Sequence, residues 1–250
     1  MSLIGKVFGR IRAFLRYNSS RYYLARFLEE ASARTSEDSV VLDAGAGDGR
    51  YQKYFQHAQY EAADICILER NYDAIMYQCD LREIPVEDSR FDVVVCTQVL
   101  EHVPEPAAVL LELRRVLKDG GTLYLTAPLY YPEHEVPYDF FRYTQFGFRK
   151  LFEDAGLQVD SVEWLEGYFM TLSTQMWIAC DALKLGRLKG PGWLALPVIL
   201  LIRLLFPLFA AVLGRLDTVF RLTSAGHCKN YALIAHKADA TVVGQSVPAK

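Results

Sequence analysis

Val41-Leu42-Asp43-Ala44-Gly45-Ala46-Gly47-Asp48-Gly49-Arg50 sets three glycines at alternate positions directly after a strand-like run. Without side chains at Gly45 or Gly47 the backbone can come close to a ligand, and a turn that opens a helix points N–H groups at it. The spacing is G-x-G-x-G. A dinucleotide fingerprint wants its last glycine at position 50, which is arginine, so a nicotinamide dinucleotide is disfavoured. Two carboxylates follow in matching places. Asp64 ends the next apolar run, where it can accept both hydroxyls of a ribose. Asp80-Leu81 follows the third run, where the acid can take an amino proton of adenine while the Leu81 N–H pairs with a ring nitrogen. Thr97-Gln98 closes the fourth. The bland alternatives are a bare structural turn for the glycines, a strand-end acid for Asp64 and a helix cap for Asp80.

A parallel sheet wrapped by helices would bring these positions to one edge, because ligands of open α/β sheets bind outside the carboxyl ends of the strands. The pattern predicts strands over 39–44, 60–65, 91–97, 122–127, 157–164 and 230–236, with a short strand region over 71–79. Helices are expected over 21–33, 50–58, 106–117 and 146–155, with Lys118-Asp119-Gly120-Gly121 stopping the third. The fold class is therefore α/β: a doubly wound, mostly parallel seven-stranded sheet, with an apolar helical insertion before the last strand. The expected organisation is lead-in helices over 1–34, a catalytic domain over 35–165 with 228–238, the insertion over 166–227, and a tail over 239–250.

On the segments VLDAGAGDGR, YEAAD, YQCDLREIPVEDSRFDVVVCTQVLEHV and LELRRVLKDGGTLYLTAP, the chain resembles the class I S-adenosylmethionine-dependent methyltransferases, especially the type 11 group. The likeness covers about residues 39–165 and the last strand. It implies a Rossmann-like methyltransferase fold and S-adenosylmethionine as cofactor, leaving S-adenosylhomocysteine as product. Asp43, Gly45, Ala46, Gly47 and Gly49 would line the methionine part of the cofactor, Asp64 the ribose, and Asp80 with Leu81 the adenine, while Thr97 and Gln98 would close the pocket. Two departures, Ala62-Ala63 where a glycine is frequent and Asp119 where proline is usual, touch no expected ligand.

Methyl transfer from a sulfonium is an in-line displacement that needs positioning and, for a hydroxyl or ammonium acceptor, a base. The run His134-Glu135-Val136-Pro137-Tyr138-Asp139-Phe140-Phe141-Arg142-Tyr143-Thr144 is dense in titratable and aromatic groups, and similar H-x-x-P-x-D-x-x-R-x-T runs occur in relatives of the group. His134 is the expected base, and Tyr138, Asp139 and Arg142 are expected to bind the acceptor. The alternative is a structural Asp139–Arg142 pair with His134 capping a turn. His102 is read as a capping or core residue rather than a catalytic one.

The five cysteines show no CxxC and no Cys/His ligand spacing, so neither a metal site nor a disulfide scaffold is expected. A net charge of -3 gives no reason to expect nucleic acid. Charge is uneven, however: residues 29–181 hold 12 basic and 28 acidic groups, while residues 1–28 hold six basic and no acidic ones. Leu3, Ile4, Val7, Phe8, Ile11, Phe14 and Leu15 mark one face of a basic amphipathic helix. Residues 193–213 carry a single charge, Arg203, and are long enough to cross a bilayer. One crossing would separate the last strand from its sheet, and Pro197 and Pro207 interrupt a helix, so two short helices in an interfacial hairpin are expected. The predicted protein is a cytoplasmic methyltransferase held on the inner membrane face through 1–16 and 193–213. Its expected acceptor is a small molecule, a lipid or a lipid-linked saccharide, methylated at oxygen or nitrogen. The alternatives are a homodimer that buries those apolar faces, and a cofactor-binding scaffold without turnover.

Overall fold

The computed structural model describes residues 19–183, 190–220 and 227–238. The amphipathic segment over 1–16 and the tail over 239–250 lie outside the described residues. The described residues fall into two compact units, one of residues 24–163 and 230–238 and one of residues 19–23, 164–183, 190–220 and 227–229.

The first unit is built on seven strands: β1 (Val40–Ala44), β2 (Gln59–Asp64), β3 (Tyr77–Gln78), β4 (Phe91–Thr97), β5 (Leu117–Pro128), β6 (Leu157–Trp164) and β7 (Asn230–Lys237). They lie in the order β3-β2-β1-β4-β5-β7-β6. The first five run parallel and β7 runs antiparallel to β5, pairing Thr122 with His236 through Pro128 with Asn230. This is the expected doubly wound sheet. Both faces of β4 are covered over its apolar stretch Val93–Cys96, in which Val94, Val95 and Cys96 are fully buried. The strand order reverses between β1 and β4, which opens a crevice at their carboxyl ends.

Three helices contribute to this unit: part of α1 (Ser19–Ala33), α2 (Pro106–Val116) and α3 (Gln145–Asp154). α2 starts on Pro106, whose missing N–H costs nothing at a first turn, and buries Val109, Leu110, Leu113 and Val116. Thr144 caps α3, its Oγ1 accepting from the Gly147 N–H at 3.1 Å.

Three local expectations are corrected. Residues 50–58 form turns and a single 3-10 turn, Gln52–Tyr54, with Gln52 N–H bonded to Gly49 C=O and Phe55 N–H to Gln52 C=O. The strand expected over 71–79 shrinks to Tyr77–Gln78. Lys118-Asp119-Gly120-Gly121 is not a helix stop followed by a loop, since the chain passes from Val116 directly into β5. The register irregularity opposite Phe91 and Val93 takes up the glycines there, and Lys118 Nζ pairs with Asp92 at 2.8 Å.

The second unit is a helical hairpin of α4 (Tyr168–Ala182) and α5 (Leu196–Phe220), with a 3-10 segment Gly190–Ala195 ahead of α5. Met170 N–H donates to Asp217 Oδ2 at 2.9 Å, Ser173 Oγ to the Ala210 carbonyl at 2.6 Å, and Arg203 to the Leu183 carbonyl at 2.6 Å. Those pairs run in opposite order along the two helices, which are therefore antiparallel. Two short helices over 193–213 are thus replaced by one of 25 residues. Pro197 sits in its first turn, where proline is tolerated, and Pro207 forfeits one backbone bond while the packing of α4 along both sides of it keeps the helix continuous. Away from α4, Val198, Leu201, Leu204, Leu208, Val212 and Val219 repeat at helical spacing and stay exposed, Leu204 to 70% and Val219 to 71%.

Candidate functional site

A cavity of about 340 Å³ opens at the carboxyl edge of β1, β2 and β4. Gly45, Asp64, Asp80, Leu81 and Gln98 line it, joined by Ile65, Ile67, Arg70, Tyr72, Val99, His102, Val103, Pro104, Glu135, Tyr138 and Phe140. A fixed turn makes one wall. Gly45 and Ala46 N–H groups both bond to the Ala63 carbonyl, at 2.8 and 3.1 Å. Gly45 holds φ +80°, and a Cβ there would lie 2.4 Å from Val99 Cγ2. At Gly49, φ +69°, it would lie 2.4 Å from Ala74 Cβ. The glycines are needed first for left-handed backbone and for close packing inside the protein.

The two carboxylates are already engaged. Asp64 accepts from Gly47 N–H at 2.9 Å and Cys66 N–H at 2.8 Å, one bond to each oxygen, which leaves lone pairs on both. Asp80 takes the Arg82 N–H and the Arg82 guanidinium, and this neighbour holds its carboxyl below the usual range. Arg82, also paired to Glu105, is exposed and can yield.

The remaining expected cofactor residues stand behind the wall. Asp43 is buried, with its Oδ2 accepting from Tyr60 Oη at 2.6 Å and its Oδ1 without a partner; burial pushes its pKa up to about 7. Thr97 is buried and bonds to Tyr51. Ala46, Gly47 and Gly49 shape the turn without lining the cavity. Gln98 sits at φ +56°, with its N–H on the Thr126 carbonyl at 2.8 Å. Cys66 and Glu135 share that left-handed conformation, so three non-glycine residues in or beside the cavity wall hold uncommon backbone.

The loop after β5 forms the other wall. Asp139, its side chain 3% exposed, receives a fork from Arg142 at 2.6 and 2.7 Å and the His134 N–H at 2.8 Å. The guanidinium keeps its carboxyl well below the usual range. Asp139 and Arg142 therefore make the structural pair that stood as the alternative to acceptor binding, while Tyr138 lines the cavity. His134 does not line the cavity but lies 3.2 Å, Nε2 to Nε2, from His102, which does.

His102 was expected to cap or pack. It instead presents its ring to the cavity, with Nδ1 on the Tyr138 carbonyl and burial lowering its pKa. Glu101 is fully buried with neither oxygen bonded, and burial pushes it up to about 8. Glu135 ties the loop to Arg70 across the cavity mouth and comes within 3.7 Å of His102. The titratable run that contains His134 and Glu135 was the visible signal for this loop, whereas Arg70 and Val99 carried none.

An open α/β sheet with a glycine turn after its first strand and acids after the next two defines a nucleoside-binding class of α/β folds. A family model described as a methyltransferase domain matches residues 14–162, more than half the chain, and the chain belongs to this family of class I S-adenosylmethionine-dependent methyltransferases. It is 33% identical over 117 residues to the ubiquinone biosynthesis O-methyltransferase of Xanthomonas oryzae pv. oryzae. The match takes in 42% of this chain and 46% of that protein, so the chain spans about half the length of the curated relatives it matches. Among solved structures, geranyl diphosphate C-methyltransferase from Streptomyces coelicolor, in complex with Mg2+, geranyl diphosphate and S-adenosylhomocysteine, aligns at TM-score 0.54 and 12% identity over 86% of this chain and 77% of that one. The 4+2 cyclase SpnF aligns at TM-score 0.54 and 18% identity, over 86% and 82%. These structural likenesses show the fold.

Proposed function

We propose that this chain transfers a methyl group from S-adenosylmethionine to an oxygen or nitrogen of an apolar, lipid-like acceptor at the cytoplasmic face of a membrane. The observation that carries the reading is the cavity itself: a glycine turn and two strand-tip carboxylates at one sheet edge. The cavity's size falls within the usual range of ligand pockets. Asp64 would hold the ribose with its free lone pairs, Asp80 and Leu81 the adenine, and the Gly45 turn with Gln98 the methionine end. Asp43, Ala46, Gly47, Gly49 and Thr97 would support these from behind. The cofactor supplies an electrophilic methyl on sulfur, and the protein supplies alignment. His102, with His134 behind it, is placed to take a proton from an acceptor that enters past Tyr138 and Phe140. This arrangement makes His102 rather than His134 the group nearer the acceptor.

Ile65, Ile67, Tyr138 and Phe140 are exposed apolar residues of the cavity lining, which suits an apolar acceptor. The relative named for ubiquinone biosynthesis and the neighbour bound to geranyl diphosphate support an isoprenoid acceptor class. The segment Gly190–Phe220 is long and apolar enough to cross a membrane by length and composition, and most of its apolar surface is uncovered by the hairpin. A bilayer surface is the proposed cover for it, with a second copy of the chain as the competing one.

The test supplies the purified full chain with methyl-labelled S-adenosylmethionine and an isoprenoid phenol in lipid vesicles. The expected result is label in the organic phase, an Asp64→Ala protein that loses S-adenosylhomocysteine affinity at least tenfold, and flotation with the vesicles. Unchanged affinity in Asp64→Ala would remove the assigned site. Cofactor binding without label in any acceptor would favour the scaffold or a non-methylating reaction, a reading prompted by the cyclase neighbour. A dimer that stays with the aqueous fraction would assign the α5 face to self-association.

A further inference from the structure

Glu101, His102 and His134 are assigned no cofactor contact, only His102 of the three reaches the cavity, and their ligating atoms all lie within 4.8 Å of one another. We propose that these three side chains form a binding site for one divalent transition-metal cation beside the cofactor cavity.

The tautomers point to it. His102 Nδ1 faces the Tyr138 carbonyl, which can only accept, so Nδ1 carries the proton and Nε2 presents a lone pair. His134 Nδ1 lies 3.2 Å from the Pro132 carbonyl and 3.2 Å from Asp139 Oδ2, again acceptors only, so its Nε2 is bare as well. As neutral imidazoles with Nδ1 protonated, the two rings face each other Nε2 to Nε2 at 3.2 Å with a lone pair on each. Two nitrogens each about 2.1 Å from one ion, at coordination angles of roughly 90–109°, are about 3.0–3.4 Å apart. The observed separation fits that interval.

Glu101 supplies the independent observation. Its carboxyl group is fully buried and neither oxygen has a hydrogen-bond partner, a state that folded proteins ordinarily avoid. Oε1 stands 3.8 Å from His102 Nε2, so a shift of about 0.5 Å completes a third ligand distance. The outer contacts complete the pattern, since metal-binding imidazoles characteristically donate their other N–H to a carbonyl or carboxylate, as both do here.

Two imidazoles and one carboxylate suit Zn2+, Mn2+, Fe2+ or Co2+, whereas Mg2+ and Ca2+ prefer all-oxygen shells. Three protein ligands leave further coordination positions open, and an ion on His102 Nε2 occupies the lone pair that the proposed function assigns to the acceptor's proton, so the two roles belong to the metal-bound and the metal-free protein respectively. Linear spacing concealed the site because Glu101-His102 follows β4 and His134 follows β5.

The experiment titrates Co2+ into the metal-stripped full chain, reading visible absorption and calorimetric heat, with Zn2+ and Mg2+ as competitors. One equivalent should bind, Zn2+ should displace it, and millimolar Mg2+ should not. His134→Ala and Glu101→Gln should each weaken Co2+ binding at least tenfold, while S-adenosylhomocysteine affinity, measured on the same samples, shows that the fold is kept. Replacing His57 and His236, which lie outside the cluster, should leave binding unchanged. The proposal is overturned if Co2+ does not bind, if binding survives the His134 and Glu101 substitutions in folded protein, or if Mg2+ competes equally. In those cases a shared proton is what joins the two rings.

Discussion

Gly45→Ala isolates the turn on which the cavity depends. At φ +80° an alanine pays about 1–2 kcal/mol for left-handed backbone, and its Cβ would fall 2.4 and 2.7 Å from the two Val99 methyl carbons, an overlap worth about 1–3 kcal/mol. The sum is about 2–5 kcal/mol, or a fall in Tm of roughly 4–20 °C for a chain of this size. The two causes can be separated, because Val99→Ala deletes the methyl groups struck and leaves the dihedral cost in place. A double-mutant cycle by denaturant unfolding should therefore show Gly45→Ala partly rescued in the Val99→Ala background, with a coupling of about 1–2 kcal/mol. Calorimetry with S-adenosylhomocysteine should follow the same order, since Gly45 and Val99 both line the cavity. Additive effects, or a Gly45→Ala protein of unaltered Tm, would refute the packing argument and return the glycine to the role of making room for ligand alone.

Asp43, raised to about 7 by burial, holds a proton in the folded protein that it has lost in the unfolded chain between about pH 4 and 7. Its contribution is full below pH 4 and falls by up to about 4 kcal/mol as the pH rises through 7. The stability of Asp43→Asn relative to the native protein should accordingly improve steadily across that window, and parallel unfolding curves from pH 4 to 8 would contradict the assignment. Asp139, held low by Arg142, stabilises the loop at neutral pH and loses that effect as acid protonates it. Asp139→Ala should cost about 2–3 kcal/mol in urea unfolding and speed proteolysis of residues 132–142, whereas intact stability would return Asp139 to acceptor binding.

The sheet was legible where a strand is apolar throughout or bounded by clear turn residues. Phe91–Thr97 and Leu157–Trp164 stand as read, the first because a short β-branched run buried on both faces has no competing pattern and the second because it starts directly after the turn residue Gly156. Residues 50–58 misled because apolar Tyr54, Phe55 and Ala58 carry helical spacing, whereas the left-handed Gly49 starts the segment in tight turns that bond three residues back. At α5 local propensity was overruled by packing: two prolines argued for a break, and the contacts with α4 keep a single helix. Asp64, Asp80 and Gln98 were readable as a group because each follows a strand that enters the same edge. The meeting of Glu101, His102 and His134 was not, since it depends on β4 and β5 being neighbours, a pairing that no local spacing encodes.

The position of β7 bears on how the protein is made. It is the last of the described strands in sequence, yet it lies between β5 and β6. As the polypeptide leaves the ribosome, β5 therefore presents an unpaired rim and β6 lacks its neighbour until residues 230–237 have emerged. The whole apolar hairpin is synthesised in that interval, so the longest greasy stretch of the chain must find shelter from aggregation before the sheet is closed.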